Sequence, residues 1–274
     1  MNELHAFLGP DLGVGAVAGV LAVNCAAAAA IATVAVARLP VRRVFGPALA
    51  YQLWLGPPVV ALLAALLVFV PSDSALGSAA AAARTAHLGL LLPVWLLGMG
   101  VMASLFTLAQ ARFLAEVRAG RGGPAVVGFI APRIVLPADD GGYSAEEREL
   151  IRAHERAHVA RKDPRGAAFV ALFQCLCWFN PFVHLAAHLL RLDQELACDA
   201  AVVMARPGAR ALYARTLLKT QLAGAPLPFG CYWPAAGQHP LEVRIAALKR
   251  RPDAGPSGFT GAAMVRPPVD AIRP

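Results

Sequence analysis

His154-Glu155-Arg156-Ala157-His158 is an H-E-x-x-H motif. On a helix the two histidines stand one turn apart on one face, so both imidazoles can bind one zinc ion. Glu155 lies about 100° around the same helix, where it can accept a proton from a water on that ion. The chemistry suggested is hydrolysis; the competing account is a charged amphipathic helix with two solvent-facing histidines. A catalytic zinc also needs a third protein ligand and an open position for water. The best candidate lies in Arg191-Leu192-Asp193-Gln194-Glu195-Leu196-Ala197-Cys198-Asp199. Glu195 would complete a site of two histidines and one glutamate. Asp199, one turn on, would accept the outer N–H of a ligand histidine and fix its tautomer. For either acid alone, a solvated helix face paired with Arg191 or Arg206 is the competing account.

These residues need helices to carry them. Ser144 followed by Glu147 reads as a capping box, opening a helix over about 145–162 that bears the motif. Reaching Glu195 is harder, because residues 166–190 form an apolar run without Asp, Glu, Lys or Arg. As one straight helix that run would carry Glu195 about 37 Å away. Asn180 is a good N-cap and Pro181 a good first helical residue, so Trp178-Phe179-Asn180-Pro181 marks a break. Two helices are expected, about 164–179 and 181–205, folded as a hairpin against the inner leaflet. On the second, His184, His188, Arg191, Glu195 and Asp199 project within about 80° of one another. Such a polar stripe should face a protein interior and point at the metal. His188 and Arg191 are candidates for stabilising an oxyanion, with packing as the competing role. Asp163-Pro164 reads as an N-cap and first helical position. Cys198 reads as a small buried residue, and Cys175-x-Cys177 is too closely spaced for a zinc ribbon. Residues 125–130 and 134–136 are β-like, and the edge of the first could take an extended substrate as an added strand. Pro207-Gly208 should end a helix, with another over 211–222.

Composition places all this at a membrane. Hydrophobic residues make up 58% of the 274 and charged residues 15%, which excludes disorder and coiled coil. Five cysteines imply no disulfide framework. Besides 166–190, uncharged stretches run over 12–37, 44–72 and 85–111, each long enough to span. Glu3 and Asp11, without Lys or Arg, precede the first, so it is not expected to be a cleaved signal. Arg38, Arg42 and Arg43 follow the first stretch, and Arg112, Arg118 and Arg121 follow the third, whereas only Asp73 and Arg84 follow the second. The positive-inside rule puts the N-terminus outside and accounts for the net charge of +8 without nucleic acid. The expected division is a transmembrane region over 1–111 (helices about 12–37, 46–70 and 86–111), a cytoplasm-facing metalloprotease domain over 112–251 and a disordered tail over 252–274. Asn24 and His87 are candidates for hydrogen bonds between spanning helices.

With these residues assembled, the sequence resembles the BlaR/MecR family of membrane metallopeptidases. The resemblance runs through Gly128-Phe129-Ile130-Ala131-Pro132-Arg133-Ile134-Val135-Leu136-Pro137 and Ala153-His154-Glu155-Arg156-Ala157-His158, with Arg161 and Asp163. It continues in Trp178-Phe179-Asn180-Pro181 and Glu195-Leu196-Ala197-Cys198-Asp199. It covers roughly 84–205. It implies a cytoplasm-facing, gluzincin-like zinc endopeptidase holding one Zn2+ per chain on His154, His158 and Glu195, with Glu155 as base. With the apolar runs, the expected fold is a mainly α integral membrane protein with three spanning helices, a membrane-associated helical hairpin and a short β element. In that family the protease cleaves itself and inactivates a winged-helix repressor of the BlaI/MecI type. Expected partners are the bilayer, such a repressor and a second copy of the chain, with no direct nucleic acid. Neither an S-x-x-K motif nor an apolar run beyond Arg251 is present, so sensing of β-lactams through an acylated serine is not expected. An HtpX-like housekeeping protease and a non-catalytic signalling scaffold are the alternatives.

Overall fold

The computed structural model describes residues 10–68, 91–120, 122–128, 130–136, 142–222 and 240–249. His87 and the tail beyond Arg251 lie outside them. With no charge between Asp11 and Arg38, and alanine at every position from 26 to 30, the first apolar stretch forms α1 (Pro10–Val44). It does not stop before Arg38. The helix continues through Arg38, Pro40, Arg42 and Arg43, and only Phe45 and Gly46 separate it from α2 (Pro47–Gln52). Gly46 makes the turn at φ +93°, in the left-handed region that favours glycine. Leu53–Leu55 then tighten into a 3-10 turn before α3 (Gly56–Val68). Pro57 and Pro58 have no N–H to give the carbonyls of Leu53 and Trp54, so an α-helical ladder cannot run through that point.

Helical extension past Arg38 has a physical reason. The guanidinium meets the carboxylate of Asp193, which has no exposed surface, at 3.0 Å. Arg42 approaches the same oxygen at 3.5 Å, and the Trp54 indole N–H donates to the other at 2.9 Å. Two arginines read from sequence as link residues thus bind the first span to a later helix, and Trp54 binds the second span to the same aspartate. Among the described residues, three helical segments are long and apolar enough to cross a bilayer: Gly19–Val44, Pro47–Leu67 and Leu91–Arg118. The last is α4 (Leu91–Arg118). Leu66, Leu67 and Leu97 point outward, as a lipid-facing surface requires.

The apolar run over 166–190 is broken where Asn180 and Pro181 suggest. It divides between α6 (Asp163–Leu176) and α7 (Pro181–Ala205), joined by a tight turn. Asn180 Oδ1 accepts from the Phe182 N–H at 3.0 Å, capping α7. Its Nδ2 donates to Asn24 Oδ1 at 3.1 Å, docking the turn on α1. Asn180→Ala is expected to cost about 1–2 kcal/mol through the cap and the lost interhelical bond; an unchanged unfolding midpoint in detergent would contradict this. His184 does not point at the metal motif. Its Nε2 donates to the Trp178 carbonyl at 2.9 Å and its Nδ1 accepts from Gln174 at 3.2 Å, so it closes the hairpin turn. Reciprocal bonds hold the turn to α4, Trp95 donating to the Leu176 carbonyl at 2.8 Å and Trp178 to the Trp95 carbonyl at 3.2 Å. Gly98 lets the two approach; a Cβ there would sit 2.1 Å from the Trp178 ring.

β1 (Ala125–Val127) pairs antiparallel with β2 (Arg133–Val135), Val126 opposite Ile134, and the hairpin rests on α5 (Ala145–Ala160). α5 starts with the capping box, Glu147 N–H donating to Ser144 Oγ at 3.1 Å and Ser144 N–H to Glu147 Oε2 at 2.8 Å. Two further helices, α8 (Arg210–Leu222) and α9 (Pro240–Lys249), close the domain. Leu150, Ala153, Val202, Val203, Tyr213, Leu217 and Leu248 form a buried cluster shared by α5, α7, α8 and α9. Packing at this seam fixes the motif helix against the helix of Glu195.

Candidate metal centre

α5 turns His154, Glu155 and His158 inward, and all three are buried. α7 presents Glu195 to them. His154 Nε2 lies 3.1 Å from His158 Nε2 and 3.3 Å from Glu195 Oε2, while His158 Nε2 is 3.7 Å from Glu195 Oε1. The donor atoms of the three side chains fall within 4.8 Å of one another. Two zinc–nitrogen bonds at a tetrahedral angle separate the nitrogens by about 3.3 Å. The spacing of the imidazoles therefore suits one such ion.

The outer nitrogens are held by partners. His158 Nδ1 donates to Asp163 Oδ2 at 2.8 Å, and Asp163 is almost wholly buried. The N-cap expected at Asp163 is not found: Lys162, in the left-handed region at φ 60°, precedes α6 and gives no side-chain cap. That two-residue turn swings Asp163 back under His158. Burial would raise the Asp163 carboxyl, but the bond from His158 and the charge of Arg161 hold it below its usual range. His154 Nδ1 meets Tyr213 Oη at 2.8 Å, and the phenol donates to Asp199 Oδ1 at 2.6 Å. Asp199 itself is 3.5 Å from His154 Nδ1, so Tyr213 stands in the path expected to be direct. With both Nδ1 atoms engaged outward, both Nε2 atoms face the shared space.

Arg244, from α9, enters from the side. It holds Asp199 with two bonds, Nε to Oδ2 at 2.8 Å and Nη2 to Oδ1 at 2.7 Å, and its Nη1 reaches Glu195 Oε2 at 3.0 Å. Arg191 reaches Glu195 Oε1 at 3.3 Å. Burial works to raise Glu195, yet Arg244, His158, His154 and Arg191 hold it well below the ordinary carboxylate range. For Glu155 burial wins, and its carboxyl is pushed up to about 7. A group poised there can accept a proton and return it near neutrality. Cys198 is buried with Sγ 3.4 Å from His158 Nδ1, and burial pushes its thiol well above its ordinary value. It packs as a neutral side chain beside the site.

The structure thus brings together His154, Glu155, His158, Arg191, Glu195 and Asp199. His188 sits two turns before Glu195, about 10 Å along the helix, with the charge of Arg38 close enough to lower its basicity beyond the effect of burial. Tyr213 and Arg244 were not found by spacing. They reach the site from helices far along the chain, with no motif to mark them. Asp163 and Arg161 did carry a signal, standing among the residues of the family resemblance.

Residues 115–248, just under half of the chain, match the sequence profile described as BlaR1 peptidase M56. Over 80 residues the chain is 36% identical to the regulatory protein BlaR1 of Bacillus licheniformis. That stretch covers 29% of this chain and 13% of the relative. No solved structure matches. Together with the three apolar helices, these similarities make the chain a membrane protein.

Proposed function

We propose that this chain, whose residues 115–248 match the profile described as BlaR1 peptidase M56, is an integral membrane zinc endopeptidase acting in regulated signalling. One observation carries the reading: two imidazole Nε2 atoms and the Glu195 carboxylate converge within 4.8 Å, beside a buried glutamate. His154, His158 and Glu195 would hold one zinc ion. When bound, that ion polarises a scissile carbonyl and acidifies a water molecule. Glu155 takes the proton from the water and later gives it to the leaving amine. Asp163 and Tyr213 hold the imidazoles in one tautomer, and Arg191 and Arg244 neutralise the carboxylates gathered around them. An extended substrate adds as a strand along the edge of β1. A cytoplasmic position for this site is supported by the arginines gathered at the ends of the first and third spans. The substrates in this reading are the chain itself and a winged-helix repressor of the BlaI/MecI type.

The test is metal content in detergent-purified protein. Wild type should carry about one zinc per chain, and Glu195→Ala should lose it. Purified repressor should be cut by wild type alone. Zinc absent from wild type, or undiminished in Glu195→Ala, would overturn the reading.

A further inference from the structure

The second span touches the metal centre. Tyr51, in α2 and within the candidate span Pro47–Leu67, donates from Oη to Asp163 Oδ1 at 3.0 Å. The other oxygen of the same carboxylate takes the bond from His158 Nδ1 at 2.8 Å. Arg161 lies over the Tyr51 ring, 4.3 Å from its centroid, with Nε 3.8 Å from Asp163 Oδ1. The phenol is fixed in the crease between span and motif helix, and Asp163 is held from both sides. Histidine ligands depend on such outer partners, whose loss commonly weakens metal binding about 10- to 100-fold. We infer that Tyr51 is a positioning residue for the metal site, setting the orientation of His158 through Asp163 from within a membrane-spanning helix. This rests on the zinc-site reading above. It makes the second span part of the support of the metal, so a displacement of that helix is transmitted to a ligand through two hydrogen bonds. Trp54, one turn on, provides the contrast: its indole bonds Asp193, which touches none of the three candidate ligands in the described contacts.

The experiment uses the full-length chain in detergent with cobalt(II) as the probe, because its visible spectrum reports the ligand field. Wild type, Tyr51→Phe, Trp54→Phe and Asp163→Asn are compared for cobalt affinity and spectrum. Tyr51→Phe should weaken cobalt binding about three- to tenfold and shift its bands in the same direction as Asp163→Asn, by less. Trp54→Phe should keep the wild-type spectrum. A Tyr51→Phe protein that matches wild type in both readouts overturns the inference and leaves the zinc reading standing. Equal shifts from Tyr51→Phe and Trp54→Phe also overturn it, since a general loosening would then be the cause. If Trp54→Phe does not fold, the comparison of Tyr51→Phe with wild type still decides. Wild type that binds no cobalt removes the zinc reading and this inference with it.

Discussion

Glu155→Gln should leave about one zinc per chain in place and slow peptide cleavage by about 10²- to 10⁴-fold. The substitution keeps shape and hydrogen-bonding reach but removes the ability to take a proton. Glu155 is buried, and burial pushes its carboxyl up to about 7, with Glu195 adding to the rise and His158, Arg191 and Arg244 opposing it. A carboxyl at its ordinary value would be too weak a base to be half-loaded near neutrality, whereas this one can both accept and return a proton. His154, His158 and Glu195 are untouched by the change, so metal content separates loss of chemistry from loss of the site. The measurement is the single-turnover rate on a protein substrate, with zinc determined in the same sample. Residual activity within about threefold of wild type at full zinc occupancy would remove Glu155 from the role of base.

How far this centre was legible follows from the distance over which each residue acts. His154, Glu155 and His158 act within one helical turn, and Ser144 with Glu147 within another, so periodicity alone finds them. Glu195 required one further step, the recognition that Asn180-Pro181 must break an apolar run that would otherwise carry it across the membrane. The same local logic misjudged Asp163. An Asp before a Pro is locally a cap, but here a buried histidine competes for the carboxylate and wins, because an unpaired buried imidazole N–H costs more than an empty cap. Arg38 and Arg42 show a different limit. Charge counting treats an arginine at a helix end as a topological marker, and cannot see a buried aspartate more than a hundred residues later. His184 shared a helix face with Glu195 in projection, yet the hairpin turn lay nearer and took it. Tyr213 and Arg244 had no local signature, since their roles exist only after α8 packs on α5 and α9 packs on α7.

Arg244 is where that packing should matter most. Three carboxylates, Glu155, Glu195 and Asp199, crowd one buried region, and Arg244 pairs directly with two of them. Burial alone would lower the Arg244 guanidinium, but Asp199 and Glu195 raise it well above its usual value, so it stays charged. Removing one member of a buried pair typically costs about 3–5 kcal/mol, because the other charge is left unmatched. Arg244→Met should sit near the lower end of that range in metal-free protein, since Asp199 keeps its bond from Tyr213 and Glu195 keeps Arg191. The loss should shrink when zinc is added, as the ion offsets the charge on Glu195 while Asp199 stays unmatched. Asp199→Asn in the Arg244→Met background should recover part of the stability by removing that orphaned charge, a coupling that a double-mutant cycle reads directly. The measurement is the unfolding midpoint of wild type, both single variants and the double variant, with chelator and with zinc. A loss below about 1 kcal/mol without metal, or strict additivity in the cycle, would show that Arg244 only fills space between α7 and α9.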